Sequence, residues 1–265
     1  MTPFTVRMKV TNESIGVPCG KCPACYARRA SQWSFRLLQE EKVSSSALFV
    51  TLTYDTLHVP ITDKGYMSLS KRDLQLFFKR LRKISVNKIK YYAVGEYGGK
   101  TMRPHYHIIL FNATFVDVEK SWHMGKPHYG TVTGASIGYT LKYISKKSKV
   151  PLHQNDDRIK EFALMSKGLG QNYATPEMVR WHKSDLNNRM YCNLTDGKKI
   201  AMPRYYKNKI YDEHERKRVG IITRHNMLKE KAILMEQPDY YRNLFEAHKQ
   251  AFRKMEINSV KNDKI

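Results

Sequence analysis

Pro104-His105-Tyr106-His107-Ile108-Ile109-Leu110-Phe111 is the stretch on which the fold and the chemistry both turn. Its β-branched and aromatic residues predict a strand over 105–111. Side chains two apart in a strand point to the same face, so His105 and His107 stand side by side with Ile109 and Phe111 behind them. Two imidazoles at that spacing can grip one cation. Upstream, residues 88–97 (KIKYYAVGEY) predict a second strand, and Gly98-Gly99 opens the connection of a hairpin. In that hairpin Glu96 lies at the His105 end. It can supply a carboxylate oxygen as third ligand, which turns the preference of the site toward Mg²⁺ or Mn²⁺. A His-x-His pair alone is an ordinary surface or core feature, and an acid near a turn is ordinarily just solvated. Their joint placement is what gives the reading weight.

Further out, Leu48-Phe49-Val50-Thr51-Leu52-Thr53-Tyr54 reads as a strand apolar on both faces, and so as a central strand covered on two sides. Ser70 has the character of an N-cap, with Asp73 in the first turn and Leu74, Phe77, Phe78 and Leu81 at helical spacing. Helices are also predicted over residues 27–42 and 135–147, with a short strand near 129–132. Residues 226–256 read as charged helix interrupted near Pro238. The order strand, helix, strand, strand, short strand, helix gives an α+β fold: an antiparallel sheet with flanking helices. A Cys-rich loop precedes it and a helical tail follows. The segments are a 1–26 arm carrying the cysteines, a 27–210 main domain and a 211–265 basic helical tail.

Tyr139 and Tyr143 stand at i and i+4 on the 135–147 helix, so both hydroxyls can reach one point. Two rings packed on a core is the plainer reading. Lys142, Lys146 and Lys147 on the same helix favour a phosphodiester site. Roughly one phenol in a thousand is ionised at neutral pH. A tyrosine nucleophile therefore needs help, from a cation that neutralises charge on the phosphate and from a lysine such as Lys142 or Lys146 that favours the phenolate.

The chain carries 47 Lys+Arg against 24 Asp+Glu, a net charge of +23. An excess this large argues against an ordinary metabolic enzyme and for a polyanionic partner, above all nucleic acid. No apolar run of membrane-spanning length stands out, so no membrane partner is expected. Arg103, Lys147 and Arg204 are candidate DNA contacts. Cys19, Cys22 and Cys25 are too closely spaced for mutual disulfides, which points to a reducing, cytoplasmic setting. With Cys192 or a histidine as fourth ligand they could hold a structural Zn²⁺; unmetallated thiols are the alternative.

These residues together resemble the HUH endonucleases, most closely the rolling-circle replication initiators of gokushovirus-type microviruses. The resemblance rests on Phe49-Val50-Thr51-Leu52-Thr53-Tyr54, on His105-Tyr106-His107 and on Tyr139-x-x-x-Tyr143, in that order. It extends to Val17-Pro18-Cys19-Gly20-Lys21-Cys22-Pro23-Ala24-Cys25 and Met202-Pro203-Arg204-Tyr205-Tyr206-Lys207, and covers roughly residues 17–210. It implies a sheet related to the RNA-recognition and palm folds. It also implies metal-assisted attack by a tyrosine on a single-stranded DNA origin, leaving a 5′-phosphotyrosine and a free 3′-hydroxyl, with the second tyrosine cutting the regenerated origin. A host polymerase would extend the end, and a host helicase would open the duplex, since the chain has no Gly-rich phosphate loop. The setting would be the cytoplasm of a bacterial host. Two other readings stay open: a non-catalytic single-stranded nucleic-acid-binding protein with stacking aromatics, and a plasmid relaxase or transposase of the same superfamily.

Overall fold

The computed structural model describes residues 4–7, 14–142, 148, 150–194 and 197–261. In chain order the elements are β1 (Phe4–Arg7), β2 (Ser14–Val17), α1 (Pro23–Glu41), β3 (Ala47–Thr53), α2 (Lys71–Ile84), β4 (Lys90–Tyr97), β5 (Pro104–Phe111), α3 (Phe115–Ser121), β6 (Pro127–Thr131) and α4 (Gly134–Lys142). They continue with β7 (Phe162–Met165), α5 (Pro176–Lys183), β8 (Tyr191–Asn193), β9 (Lys199–Ala201), α6 (Arg204–Ile210), α7 (Glu213–Met235) and α8 (Tyr240–Lys261). This is the α+β arrangement expected. The chain groups into two compact units, residues 36–170 and residues 1–35 with 171–257. The second unit thus takes in the cysteine arm, residues 171–210 and most of the helical tail.

The 36–170 unit is built on a five-stranded antiparallel sheet in the order β6-β3-β5-β4-β7. The expected hairpin is β4–β5, and its register sets Glu96 directly opposite His105. One face of the sheet carries Val50, Leu52, Ala93, Tyr106, Ile108 and Leu110, all buried. Against it lie Leu74, Phe77, Phe78 and Leu81 of α2 and Val118 of α3. The spacing of the α2 residues makes one apolar stripe. Burying each large side chain is worth roughly 1.5–3 kcal/mol. The Ser70 hydroxyl accepts from the Asp73 N–H at 3.1 Å, which fixes where α2 begins.

Tyr106, between the two histidines, belongs to this core. Its hydroxyl donates to the Ser70 carbonyl at 2.9 Å, accepts from the Ser70 N–H at 2.9 Å and lies 2.7 Å from the Tyr54 hydroxyl. Burial pushes its phenol up to about 12. The strand that presents the histidines is thereby tied to the cap of α2. Gly125 serves a close approach: a Cβ there would lie 2.2 Å from the Thr53 carbonyl oxygen.

Three expectations change. β3 is second from the edge, and burial alternates along it: Val50 and Leu52 are buried while Phe49, Thr51 and Thr53 are half-buried. The strand covered on both faces is β5, because it lies at the centre. Helix α1 starts at Pro23, earlier than residue 27, so Cys25 sits in its first turn rather than in the preceding loop. Helices α3 and α5 and the edge strand β7 had no expected counterpart, being short and only weakly patterned. Residues 143–147 of the predicted 135–147 helix lie outside the described residues.

The other unit holds the hairpins β1–β2 and β8–β9 and helices α5 to α8. Its core gathers Phe35, Cys192, Met202, Tyr206, Ile210 and Tyr211. His182 is wholly buried there. Its Nδ1 donates to the Arg189 carbonyl at 2.6 Å, and its Nε2 lies 3.0 Å from the Tyr173 hydroxyl, so it is a satisfied core histidine.

Candidate metal and tyrosine site

On the second face of the sheet the register lines up Thr53, His105 and Glu96 in one row and His128, Thr51, His107 and Val94 in the next. His105 Nε2 lies 2.9 Å and His107 Nε2 2.8 Å from the same oxygen, Glu96 Oε1. The two rings stand nearly perpendicular, their centroids 5.0 Å apart. Glu96 and His107 are buried; His105 is half-buried, which leaves one side of the cluster open.

The outer ring nitrogens are pinned. The Arg103 carbonyl accepts from His105 Nδ1 at 3.1 Å, and Thr51 Oγ1 lies 3.0 Å from His107 Nδ1. A carbonyl can only accept, so the His105 proton sits on Nδ1 and its lone pair on Nε2, facing Glu96. Partners on the outer nitrogens are what metal-binding histidines use to fix tautomer and ring orientation. Burial pushes the Glu96 carboxyl up, but the bonds and charges of His105 and His107 outweigh it and hold the group down at about 2. Burial pushes His107 below the ordinary imidazole value, against the pull of Glu96. A carboxylate and a neutral imidazole are the forms that bind a cation. Donors 2.1 Å from an ion at right angles sit about 3.0 Å apart, close to the 2.8 and 2.9 Å seen. The residues therefore fit a small divalent ion.

Tyr139 comes to this cluster from α4. Its ring meets the His107 ring edge to face at 5.2 Å and the Phe49 ring at 6.3 Å, while Phe49 stacks on His107 at 5.6 Å. Phenol and imidazoles thus share one face of the sheet. Lys142 Nζ stands 5.5 Å from the centre of the Tyr139 ring, over its face. The Arg103 guanidinium donates to the Tyr54 carbonyl at 2.9 and 3.3 Å, so it braces the end of β3. Arg204 belongs to the other unit, where it lines a groove with Lys207, Arg216, Arg224 and Lys231. Tyr143, Lys146 and Lys147 lie outside the described residues.

Among the described residues, two groups of three His, Cys, Asp or Glu side chains are close enough to hold one ion: Glu96, His105 and His107, and Cys19, Cys22 and Cys25. Cys192 belongs to neither. It is buried in the core of its unit beside Tyr173, and burial pushes its thiol up to about 11. Sequence reasoning gave Thr51 and His128 no role. Alternation along β3 was the available signal for Thr51. His128, exposed on β6 opposite Thr51, is found only through the register.

A family model for replication-associated proteins of the ORF2 type matches residues 47–148, from β3 through α4. Replication-associated protein ORF2 of Spiroplasma virus 4 is 31% identical over 77% of this chain and 70% of its own length. The chain belongs to this family of phage replication-associated proteins. Replication-associated protein VP4 of Bdellovibrio phage phiMH2K is 28% identical over 79% of this chain and 72% of its own. Replication-associated protein ORF4 of Chlamydia phage 1 is 26% identical over 76% and 55%. No solved structure matches. In this replication-associated protein, the matched residues include both histidines, Glu96 and Tyr139. Among the described residues, no helix is long and apolar enough to cross a membrane.

Proposed function

We propose that this replication-associated protein nicks and rejoins single-stranded DNA at an origin, with Tyr139 as a nucleophile, and so initiates rolling-circle replication. The observation that carries the reading is the Tyr139 ring lying against His107 on the face that also presents His105 and Glu96. The alternative, a binding protein without chemistry, gives a core tyrosine no reason to meet a pinned carboxylate–histidine cluster.

Glu96 Oε1, His105 Nε2 and His107 Nε2 would hold Mg²⁺ or Mn²⁺, which when bound neutralises charge on a scissile phosphate. The Arg103 carbonyl and the Thr51 hydroxyl keep both lone pairs turned inward. Phe49 and His107 hold the Tyr139 ring, so the approach of its hydroxyl is fixed before DNA arrives. The Tyr139 oxygen loses its proton and bonds to phosphorus. The bond from phosphorus to the 3′ oxygen breaks, and that oxygen takes up a proton as the free 3′-hydroxyl. The 5′ end stays on the tyrosine. In the same reading Tyr143 performs the second cut and Lys146 assists it. Lys142, with Lys147, Arg103 and Arg204, attracts the DNA backbone. A host polymerase extends the 3′ end behind a host helicase, in the cytoplasm of the host.

The test is incubation of the full chain with a single-stranded oligonucleotide library and Mn²⁺, followed by mass spectrometry of tyrosine–nucleotide adducts. An adduct on Tyr139 or Tyr143 that EDTA abolishes is expected. Adducts persisting after Tyr139→Phe combined with Tyr143→Phe would refute the assignment.

A further inference from the structure

The cysteine arm forms a second site, which the nicking chemistry does not use. Cys19, Cys22 and Cys25 repeat at intervals of three, and their sulfurs lie within 4.8 Å of one another. Gly20 has φ +74°, a left-handed conformation that folds the chain back on itself. That turn lets the Cys22 N–H donate to Cys19 Sγ at 3.3 Å. Cys25 enters from the first turn of α1, where the Tyr26 N–H bonds the Cys22 carbonyl at 3.1 Å. Cys19 Sγ and Cys25 Sγ are then 3.9 Å apart. A disulfide needs about 2.05 Å. A tetrahedral zinc with Zn–S near 2.3 Å sets its sulfurs about 3.8 Å apart. The loop has the spacing of the second case.

The fourth position faces a hollow. Cys19 and Cys22 line it from one side, and His248, Ala251 and Phe252 line it from α8. His248 and Phe252 are one turn apart, so one stripe of α8 faces the thiols. His248 stands outside the group of three, and side-chain rotation must bring its ring inward to close the site. Cys192 is held in the hydrophobic core, with Phe35 and Tyr206 for neighbours, and cannot serve.

We propose that Cys19, Cys22 and Cys25 bind Zn²⁺ as thiolates and that His248 supplies the fourth ligand. The ion thereby fastens the start of α1 to α8. Three sulfurs and one nitrogen are a donor set that zinc takes and that Mg²⁺ does not. The role is structural, because all four positions are filled by protein.

Full-length protein purified without chelator should contain about one zinc per chain by elemental analysis. Cys22→Ser should lose it, and Cys192→Ala should keep it. His248→Ala should release zinc to a competing chelator at least tenfold more readily, and proteolysis within residues 240–257 should quicken to match. Should Cys22→Ser fail to fold, the zinc content of the unaltered protein and the His248→Ala measurement still decide. Folded, zinc-free wild-type protein would overturn the site. Chelator resistance that Cys192→Ala lowers and His248→Ala leaves unchanged would overturn the choice of fourth ligand. Tyrosine–DNA adducts read the other site and are unaffected by either result.

Discussion

Thr51→Val isolates the contribution of a residue that touches neither the ion nor the DNA. The threonine hydroxyl lies 3.0 Å from His107 Nδ1, and His107 is only 7% exposed, so water cannot readily replace the bond. Losing a neutral hydrogen bond in such a place costs about 1 kcal/mol, and the partner left buried adds to it. The imidazole is also released to place its proton on Nε2, the nitrogen that must be bare. Together these effects amount to about 1.4–2.7 kcal/mol, a 10- to 100-fold loss of metal affinity. Isothermal titration with Mn²⁺ reads it directly. Thr53→Val is the matched control. Thr53 shares the face, but its hydroxyl donates to the Lys126 carbonyl at 3.0 Å and leaves His107 alone. It should bind Mn²⁺ within about twofold of wild type. Equal affinity in the Thr51 and Thr53 variants would refute the reasoning, because it would mean that the outer nitrogen does not govern the inner one.

Tyr139→Phe keeps the ring contacts with His107 and Phe49, so oligonucleotide binding should stay within about twofold while the Tyr139 adduct disappears from the mass spectrum. Glu40→Ala should destabilise the protein by about 3–5 kcal/mol in urea unfolding. It strands the Lys90 ammonium, now 2.8 Å from Glu40, and the Gly170 N–H bonded to the same carboxylate at 2.8 Å; a loss below about 1 kcal/mol would show the pair to be dispensable. Mn²⁺ affinity should be flat from pH 7 to 8 and fall in acid. Glu96, held at about 2, stays ionised across that range, while His107 gains a proton only below the ordinary imidazole value near 6.5. Affinity that instead weakened as pH rose from 7 to 8 would contradict this assignment of charge states.

The hairpin was readable because two local signals agreed: alternation over residues 105–111 and glycines at 98 and 99. Strand periodicity then placed Glu96, His105 and His107 on one face without any knowledge of the rest of the chain. Ser70 was legible as a cap for the same reason, since its bond to Asp73 spans three residues. Contacts with long sequence separation were not legible. Thr51 reaches His107 across 56 residues, and the Phe49 ring meets Tyr139 across 90. The run 48–54 is apolar enough to suggest cover on both faces. Its threonines, read strictly by alternation, would have pointed to the wetter face. β7 escaped because four residues at a sheet edge carry too little pattern to stand apart from a loop.

The two faces of the sheet solve opposite problems, and His-x-His is where they meet. On one side Tyr106 must bury a phenol, and it does so by directing its hydroxyl to Ser70 and Tyr54. On the other side Glu96 must bury a charge, which is strongly unfavourable unless the charge is paired. The pairing comes from two imidazoles that are themselves held by a carbonyl and a hydroxyl. A buried anion so compensated gains nothing over well-packed apolar residues in stability alone. Its presence in the interior of a chain with net charge +23 is therefore better explained by what it can bind than by what it holds together. Because Tyr106 anchors the same strand to the cap of α2, a shift of that strand toward an incoming phosphate would break bonds in the core. The imidazoles are thus held in place before any ligand arrives, and the cost of arranging them is met in folding rather than at the encounter with DNA.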